Sequence, residues 1–248
     1  MSFLTSLFGK KKNIPIKDFI FVDMHSHLIP GIDDGSKTIE ESMRLLKQLE
    51  EVGYKKIITT PHIMGDFFKN TPETILPGLS MLRAQMKLEN IDLEVEVAAE
   101  YYLDEWFIEK LQNNMPLMTF GGNYVLFETS YMNEPAQLHQ AIFLMRSSGY
   151  IPVLAHPERY TYLYDSFASF QKVYDMDVLF QINLNSLVGY YSKPAKMFAE
   201  KLIEHKMVDF VGTDCHGQRH IDVLHQVKHS SYYKKLKELP LLNNSLLS

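Results

Sequence analysis

Short apolar runs, rich in β-branched and aromatic residues, recur along the chain from about position 19 onward. Several runs are continuous rather than alternating, which is typical of parallel strands that are covered on both faces. The predicted strands span 19–22, 56–60, 93–99, 124–129, 151–155, 178–182 and 209–213.

Helical periodicity fills the intervals between these runs. The clearest case is 39–52, where apolar residues recur every three or four positions. Thr38 and Glu41 have capping-box spacing at its start, and Gly53 can end the helix. Further helices are predicted over 79–88, 136–147 and 194–206. Alternating strands and helices predict a mostly parallel sheet, either open and doubly wound or closed into a barrel.

The composition is that of an ordinary globular protein. The 248 residues suit a single α/β domain, and the net charge of −5 provides no basic field for nucleic acid. No apolar run approaches the ~20 residues that cross a bilayer, and no secretory signal pattern occurs. Cys215 is the only cysteine, which fits a reducing compartment, so a cytoplasmic protein is expected.

The first residues differ from the rest of the chain. Apolar side chains at positions 3, 4, 7 and 8 can share one helical face, and lysines follow at 10, 11 and 12. Residues 1–12 are interpreted either as a weak contact with an anionic surface, such as the inner membrane, or as a frayed terminus. We therefore divide the chain into an extension, 1–18, and a folded domain, 19–248.

Side chains that can bind metal ions follow nearly every predicted strand. Because the carboxyl ends of parallel strands surround one mouth of a barrel, these side chains are expected to meet there. His25 and His27 are one residue apart, so both can point to the same side of an extended chain. The candidate ligands are His25, His27, Asp34, His62, Glu100, Glu128, His156, Asp214 and His216.

These candidates exceed the three or four ligands that one ion needs, which predicts two or three divalent ions. Mixed imidazole and carboxylate ligands suit Mn, Fe or Zn, and the sequence does not choose among them. Asp33 competes with Asp34 as the ligand, and Cys215 is expected to be a packing residue. The other histidines are expected at the surface: His139, His205, His220, His225 and His229.

The candidate residues lie in motifs of a specific order between positions 19 and 216. The order is His-x-His, Asp-Asp-Gly, Thr-Pro-His, two separate Glu, His-Pro-Glu-Arg-Tyr and Asp-x-His. It resembles the polymerase and histidinol phosphatase (PHP) superfamily. Segments 19–27, 32–35 and 156–160 are similar to those of bacterial PHP-type protein-tyrosine phosphatases, which act with the tyrosine kinases of capsular and exopolysaccharide systems.

The resemblance implies a single-domain α/β fold, a distorted TIM-like (β/α)7 barrel, with a trinuclear centre in which manganese is the expected metal. The implied ligands are His25, His27, Glu100 and Asp214 for one ion, Glu100, Glu128 and His156 for a second, and Asp34, His62 and His216 for a third. Arg159 matches a phosphate-binding arginine, and Arg219 is the nearest candidate for a second one. The implied substrate is a phosphotyrosine protein, a bacterial tyrosine autokinase.

Catalytic roles are predicted for Asp214, His216 and Arg159. The planar guanidinium of Arg159 matches a phosphate, although it could instead form an ion pair with Glu158. A phenol with a pKa of about 10 leaves more readily than an alkyl alcohol, and Asp214 or His216 could donate its proton. Aromatic residues near the strand ends, such as Tyr131, could cradle a phenyl ring or pack in the core.

Other functions stay open at this point. A cysteine phosphatase is disfavoured, because its Cys-x5-Arg pattern would require arginine where Ile221 stands. A PHP-type small-molecule phosphomonoesterase, such as a histidinol-phosphate phosphatase, fits the same ligands. An amidohydrolase-type enzyme that cleaves C–N bonds also uses His-x-His, but the Asp-Asp-Gly and Thr-Pro-His ligands favour the PHP superfamily. A metal-stabilised binding module without turnover is the alternative from a different class.

Overall fold

The computed structural model describes residues 19–247, so the predicted extension, 1–18, and its membrane contact lie outside the described residues. Parallel strands form the centre of the molecule. In chain order they are β1 (Val22–Asp23), β2 (Lys56–Thr59), β3 (His62–Ile63), β4 (Glu94–Val97), β5 (Glu100–Tyr102), β6 (Tyr124–Glu128), β7 (Ile151–Ala155), β8 (Leu179–Asn183) and β9 (Phe210–Gly212).

These strands belong to two sheets in the described part of the chain. One sheet has the order β1-β2-β4 and the other has the order β3-β5-β6-β7-β8-β9, and neighbouring strands are parallel. Neighbours come from successive strand segments of the chain, which is the pattern of repeated βαβ units. The fold is therefore α/β with parallel sheets, as the strand pattern predicts.

Two of the predicted strands are each followed by a second short strand that lies in the other sheet. The segment 56–60 corresponds to β2, and β3 follows after Pro61; the segment 93–99 corresponds to β4, and β5 follows it. Proline has no N–H to donate, so the hydrogen-bond ladder is interrupted at Pro61. Consequently the strand ladders of residues 19–247 form two parallel sheets rather than one continuous ladder.

Helices alternate with the strands. In chain order they are α1 (Ile39–Val52), α2 (Pro72–Leu88), α3 (Glu105–Gln112), α4 (Leu138–Ser147), α5 (Phe167–Tyr174), α6 (Lys193–Glu204), α7 (Gln218–Val227) and α8 (Ser231–Lys235). The bounds of α1 are the predicted ones, since the Thr38 side chain accepts from the Glu41 N–H and Gly53 ends the helix with a φ of 115°. Helix α2 starts before position 79, because Pro77 interrupts the pattern without ending the helix.

Alternate strand residues pack into two apolar clusters. Ile57 joins the large cluster that contains the apolar faces of the helices, whereas Ile58 joins a smaller inner cluster with Val22, Leu126 and Val153. This is the two-residue alternation of a strand whose faces are both covered. Both sheets contribute to the inner cluster, so the described residues pack as one domain.

Backbone hydrogen bonds join the segments that follow the first and last strands. The His27 N–H donates to the Cys215 carbonyl at 2.9 Å, and the Asp214 N–H donates to the His25 carbonyl at 2.8 Å. These bonds place His25, His27 and Asp214 side by side. No helix among the described residues is long and apolar enough to cross a membrane.

Candidate metal centre

The carboxyl ends of the strands converge, and all of the predicted ligands lie at this convergence. They are His25 and His27 after β1, Asp34 in the loop before α1, His62 in β3, Glu100 in β5, Glu128 in β6, His156 after β7, and Asp214 and His216 after β9. Contacts of 3.1–3.9 Å between imidazole nitrogens and carboxylate oxygens connect the whole set.

Glu100 lies at the centre of this cluster, and its side chain has no solvent exposure. Its Oε2 is 3.1 Å from His25 Nε2, 3.3 Å from His27 Nε2 and 3.2 Å from His62 Nδ1. Its Oε1 is 3.2 Å from His156 Nε2. Despite these short distances, neither oxygen has a partner with hydrogen-bond geometry among the described residues. A buried carboxylate of this kind requires cations close to its oxygens.

Asp214 lies beside the same imidazoles. Its Oδ1 is 3.5 Å from His25 Nε2, 3.6 Å from His27 Nε2 and 3.3 Å from His216 Nδ1. The backbone of Asp214 is left-handed, with a φ of 50°, and so is that of His156, with a φ of 34°. This conformation is uncommon outside glycine and is concentrated at functional sites.

A further group of ligand atoms surrounds His62. Asp34 Oδ1 lies 3.5 Å from His62 Nε2 and 3.3 Å from His216 Nε2. On the other side of the ring, Glu128 Oε1 lies 3.2 Å from His62 Nδ1, and Glu128 Oε2 lies 3.9 Å from His156 Nε2. The two nitrogens of His62 therefore face different carboxylates, so this residue connects two parts of the cluster.

Neighbouring acceptors orient the imidazoles. His27 Nδ1 lies 2.9 Å from Asp33 Oδ2, and His25 Nδ1 lies 2.9 Å from Gln181 Oε1. Each Nδ1 donates to its acceptor, which leaves the Nε2 lone pair directed at the cluster. Asp33 thus lies behind His27 and orients it, whereas Asp34 is the aspartate that faces the other ligand atoms.

The acids and the imidazoles shift one another's pKa. Burial alone would lower the pKa of His25, but the carboxylates of Glu100 and Asp214 raise it to about 9. Nearby carboxylates likewise outweigh burial and raise the pKa of His62 to about 10 and that of His216 to about 8. Burial would raise the pKa of Glu100, but the imidazoles hold it well below its usual value. Without metal ions, protons on His25, His62 and His216 supply the positive charge that balances the buried carboxylates.

The donor atoms of this cluster fit metal ions. Atoms within 4.8 Å of one another form overlapping groups: His27, Asp34, His62 and His216; His25, His27 and Glu100; and His62, Glu100 and Glu128. Atoms that share one ion at about 2.0–2.2 Å would have this spacing. His62 Nδ1 and both Glu100 oxygens are buried without a hydrogen-bond partner among the described residues, as expected where ions bind.

A cavity of about 370 Å³ opens onto the cluster. Its lining residues are Asp34, His62, Glu100, Tyr131, His156, Arg159, Tyr190, Tyr191, Asp214, His216 and His220. Arg159 Nη1 donates to Asp214 Oδ2 at 3.1 Å. The buried Glu158 instead accepts from the Ser186 hydroxyl and makes no salt bridge with Arg159 among the described contacts. The guanidinium of Arg159 is therefore part of the cavity wall.

Two expectations about this cavity differ from the structure. Arg219 is exposed in α7 and is not among the described lining residues, so the fold does not bring it to the cluster. His220, expected at the surface, is half-buried in the cavity wall, and its ring centroid lies 5.5 Å from that of His216. His220 lies in the first turn of α7, which begins two residues after His216, and this nearness in sequence was the available signal.

Other residues behave as expected or were not identified from the sequence. Cys215 is buried, as expected of a packing residue. Tyr190 and Tyr191, which line the cavity, were not among the candidates; their place in the loop after β8 was the available signal. The histidines exposed as expected are His139, His205, His225 and His229.

Parallel strands with imidazoles and carboxylates at their carboxyl ends define the class, an α/β protein with a candidate metal centre. More specifically, the chain belongs to the family described as capsular polysaccharide synthesis, CpsB/CapC, whose model matches residues 21–236.

Individual relatives of known name support this membership. The tyrosine-protein phosphatase YwqE of Bacillus subtilis is 28% identical over 79% of this chain and 77% of its own length. The tyrosine-protein phosphatase CpsB of Streptococcus pneumoniae is 29% identical over 79% of this chain and 83% of its own. YwqE and CpsB of these two species are described as metal-dependent tyrosine phosphatases in the crystallographic work on them. A crystal structure from that work is 26% identical to this chain and has a TM-score of 0.78. The match covers 91% of this chain and 94% of that one.

Glu100→Gln is expected to weaken metal binding at the cluster by about 100-fold or more, because the amide removes the charge that four imidazoles face. Competition with a chromophoric chelator would measure the affinity, and elemental analysis the metal content. Glu109→Gln, at an exposed position of α3, is the matched control and should bind metal like the wild type. Unchanged affinity in Glu100→Gln would contradict the assignment.

Metal loading is expected to release protons at about pH 7. The raised pKa values of His25 and His62, about 9 and about 10, mean that both are protonated at this pH without metal. Coordination requires neutral imidazoles, so the apparent affinity should increase as the pH rises toward these values. Calorimetry in buffers of different ionisation enthalpy measures the release; binding at pH 7 without proton release would show that these imidazoles are not ligands.

Proposed function

We propose that this protein is a metal-dependent protein-tyrosine phosphatase that hydrolyses phosphotyrosine on a bacterial tyrosine autokinase of a capsular or exopolysaccharide system. The observation that carries the proposal is the contact between Arg159 and Asp214, which places a guanidinium suited to phosphate beside the candidate metal cluster in one cavity. The phosphatase relatives of the family support the choice of reaction.

The lining of the cavity suits an aryl phosphate. The guanidinium of Arg159 offers a planar set of N–H donors that matches phosphate oxygens. The tyrosine rings of the wall, Tyr131, Tyr190 and Tyr191, provide apolar surface for a phenyl group. When bound, divalent ions supply Lewis-acid charge for the phosphate oxygens and favour ionisation of water.

Asp214 and His216 were the two candidates for a proton donor to the leaving phenolate. Asp214 Oδ2 accepts hydrogen bonds from Arg159 at 3.1 Å, Asn183 at 2.7 Å and Tyr191 at 3.2 Å. Burial alone would raise the pKa of Asp214, but the neighbouring imidazoles and Arg159 hold it well below its usual value. We therefore assign Asp214 the role of an anion that holds Arg159. Because His216 is assigned to metal binding and its Nδ1 lies 2.9 Å from the Asp214 carbonyl oxygen, the phenol, with a pKa of about 10, leaves without a dedicated side-chain donor.

We infer that the cluster holds two or three divalent ions, with manganese as the first candidate and iron or zinc as alternatives. The overlapping groups of ligand atoms and the absence of thiolates among them support this inference within residues 19–247. In this proposal His25, His27, Glu100 and Asp214 bind one ion, Glu100, Glu128 and His156 a second, and Asp34, His62 and His216 a third.

We also infer that the two sheets are parts of one distorted (β/α)7 barrel within a domain that spans 19–248. Two observations favour closure: residues of both sheets share the inner apolar cluster, and the segments after β1 and β9 are hydrogen-bonded to each other. The cytoplasm is the compartment expected for this enzyme, on the evidence of its single cysteine.

Substrate preference tests the function directly. The metal-loaded enzyme should hydrolyse a phosphotyrosine peptide with a kcat/KM at least about 100-fold above that for histidinol phosphate, because the tyrosine rings of the cavity favour a phenyl group. Release of inorganic phosphate measures both reactions. The reverse preference would favour the small-molecule phosphomonoesterase, for which the moderate volume of the cavity is also suitable.

Arg159→Ala is expected to lower kcat/KM for phosphotyrosine by about 100- to 1,000-fold, since it removes a charged donor to the phosphate oxygens. Metal content should stay at the wild-type level, because Arg159 is not among the candidate ligands. Arg219→Ala, at an exposed position outside the cavity, should stay within about twofold of the wild type. A loss of metal in Arg159→Ala would assign this residue a structural role instead.

A further inference from the structure

The guanidinium of Arg159 lies between two tyrosine rings. Its Cζ is 4.7 Å from the ring centroid of Tyr131 and 4.2 Å from that of Tyr191. Both distances are within the range of cation–π attraction. The tyrosines come from the loops after β6 and β8, so the two rings meet around Arg159 only in the folded chain.

Each ring is held in place by residues of the metal cluster or by their partners. The Tyr191 hydroxyl donates to Asp214 Oδ2 at 3.2 Å and accepts from Asn183 Nδ2 at 3.0 Å. The Tyr131 ring stacks on that of His156, with centroids 5.8 Å apart and planes inclined by 22°. The position of the guanidinium is therefore coupled to two candidate ligands through aromatic side chains.

Fixing Arg159 matters because its guanidinium supplies directed N–H donors to phosphate oxygens, which metal ions do not. Among the described residues that line the cavity, Arg159 is the only lysine or arginine. Its recorded side-chain hydrogen bond to a described residue is the one to Asp214, so most of its five N–H donors remain for a ligand. An arginine that is already held in place loses less rotamer entropy when it binds phosphate.

We propose that Tyr131 and Tyr191 are positioning residues that clamp the guanidinium of Arg159 with its donors directed at the phosphate site. They act through Arg159 and need not contact the reacting phosphorus. The proposal deepens the phosphatase function and rests on its assignment of Arg159 to phosphate, whichever phosphate ester is the substrate.

A double-mutant cycle tests the clamp. Tyr131→Leu and Tyr191→Leu are made in the wild type and in Arg159→Ala, and two quantities are measured with metal-loaded protein: the Kd for inorganic phosphate and kcat/KM for phosphotyrosine. In the wild type each leucine variant should weaken both by about 5- to 30-fold. In Arg159→Ala the same changes should alter the Kd for phosphate by less than about twofold, because their target is gone. The phosphate Kd is the deciding quantity, since kcat/KM for phosphotyrosine also reports contacts between the rings and the phenyl group.

Conservative variants and a remote control separate positioning from general damage. Tyr131→Phe and Tyr191→Phe keep the rings and should keep phosphate affinity within about threefold of the wild type. Tyr232→Leu removes a ring that lies 4.2 Å from Lys235, outside the cavity lining, and should leave phosphate affinity unchanged. Metal content and the thermal unfolding midpoint are recorded for every variant.

The possible results are decisive. Equal losses of phosphate affinity in the wild-type and Arg159→Ala backgrounds, or wild-type phosphate affinity in both leucine variants, would overturn the clamp. Should the leucine variants unfold or lose metal, the phenylalanine variants decide, since a loss above about tenfold contradicts a role for the rings. If phosphotyrosine is not hydrolysed but the phosphate Kd values follow the expected cycle, the substrate assignment fails and the clamp stands.

Discussion

The burial of the Glu100 carboxylate among four imidazoles is the interaction on which the rest of the structure depends. A carboxylate without solvent and without hydrogen-bond partners among the described residues is costly unless positive charge lies next to it. Protons on His25 and His62 supply that charge without metal, and bound metal ions would supply it instead. The parallel strands make this burial feasible, because their carboxyl ends deliver ligands from distant parts of the chain to one point.

Around this centre, orientation and charge are divided among different side chains. Asp33 and Gln181 hold two imidazoles from behind, which leaves their Nε2 atoms directed at the cluster. Asp214 has a different role with each oxygen, since Oδ1 faces the imidazoles and Oδ2 accepts from Arg159. The Asp214 carboxylate therefore contacts both the imidazoles of the candidate metal cluster and Arg159.

The cluster could be predicted from the sequence because it depends on topology. Parallel strands bring their carboxyl ends together, so the residue types at those ends were enough to identify the candidate ligands. The sequence did not choose between Asp33 and Asp34, because both follow the same turn and only their hydrogen bonds differ. The division of predicted strands between two sheets, as at Pro61, depends on local pairing that periodicity does not encode. Arg219 was chosen by nearness in sequence, whereas Tyr191 reaches the cavity through the course of a loop.

A crystal structure of the manganese-loaded protein, with anomalous data collected at the manganese edge, tests the central claim most directly. The account predicts anomalous peaks within the cluster, with Glu100 and the imidazoles of His25 and His62 among the ligands. Peaks confined to other parts of the molecule, or a cluster that binds none of manganese, iron and zinc when each is supplied, would contradict it.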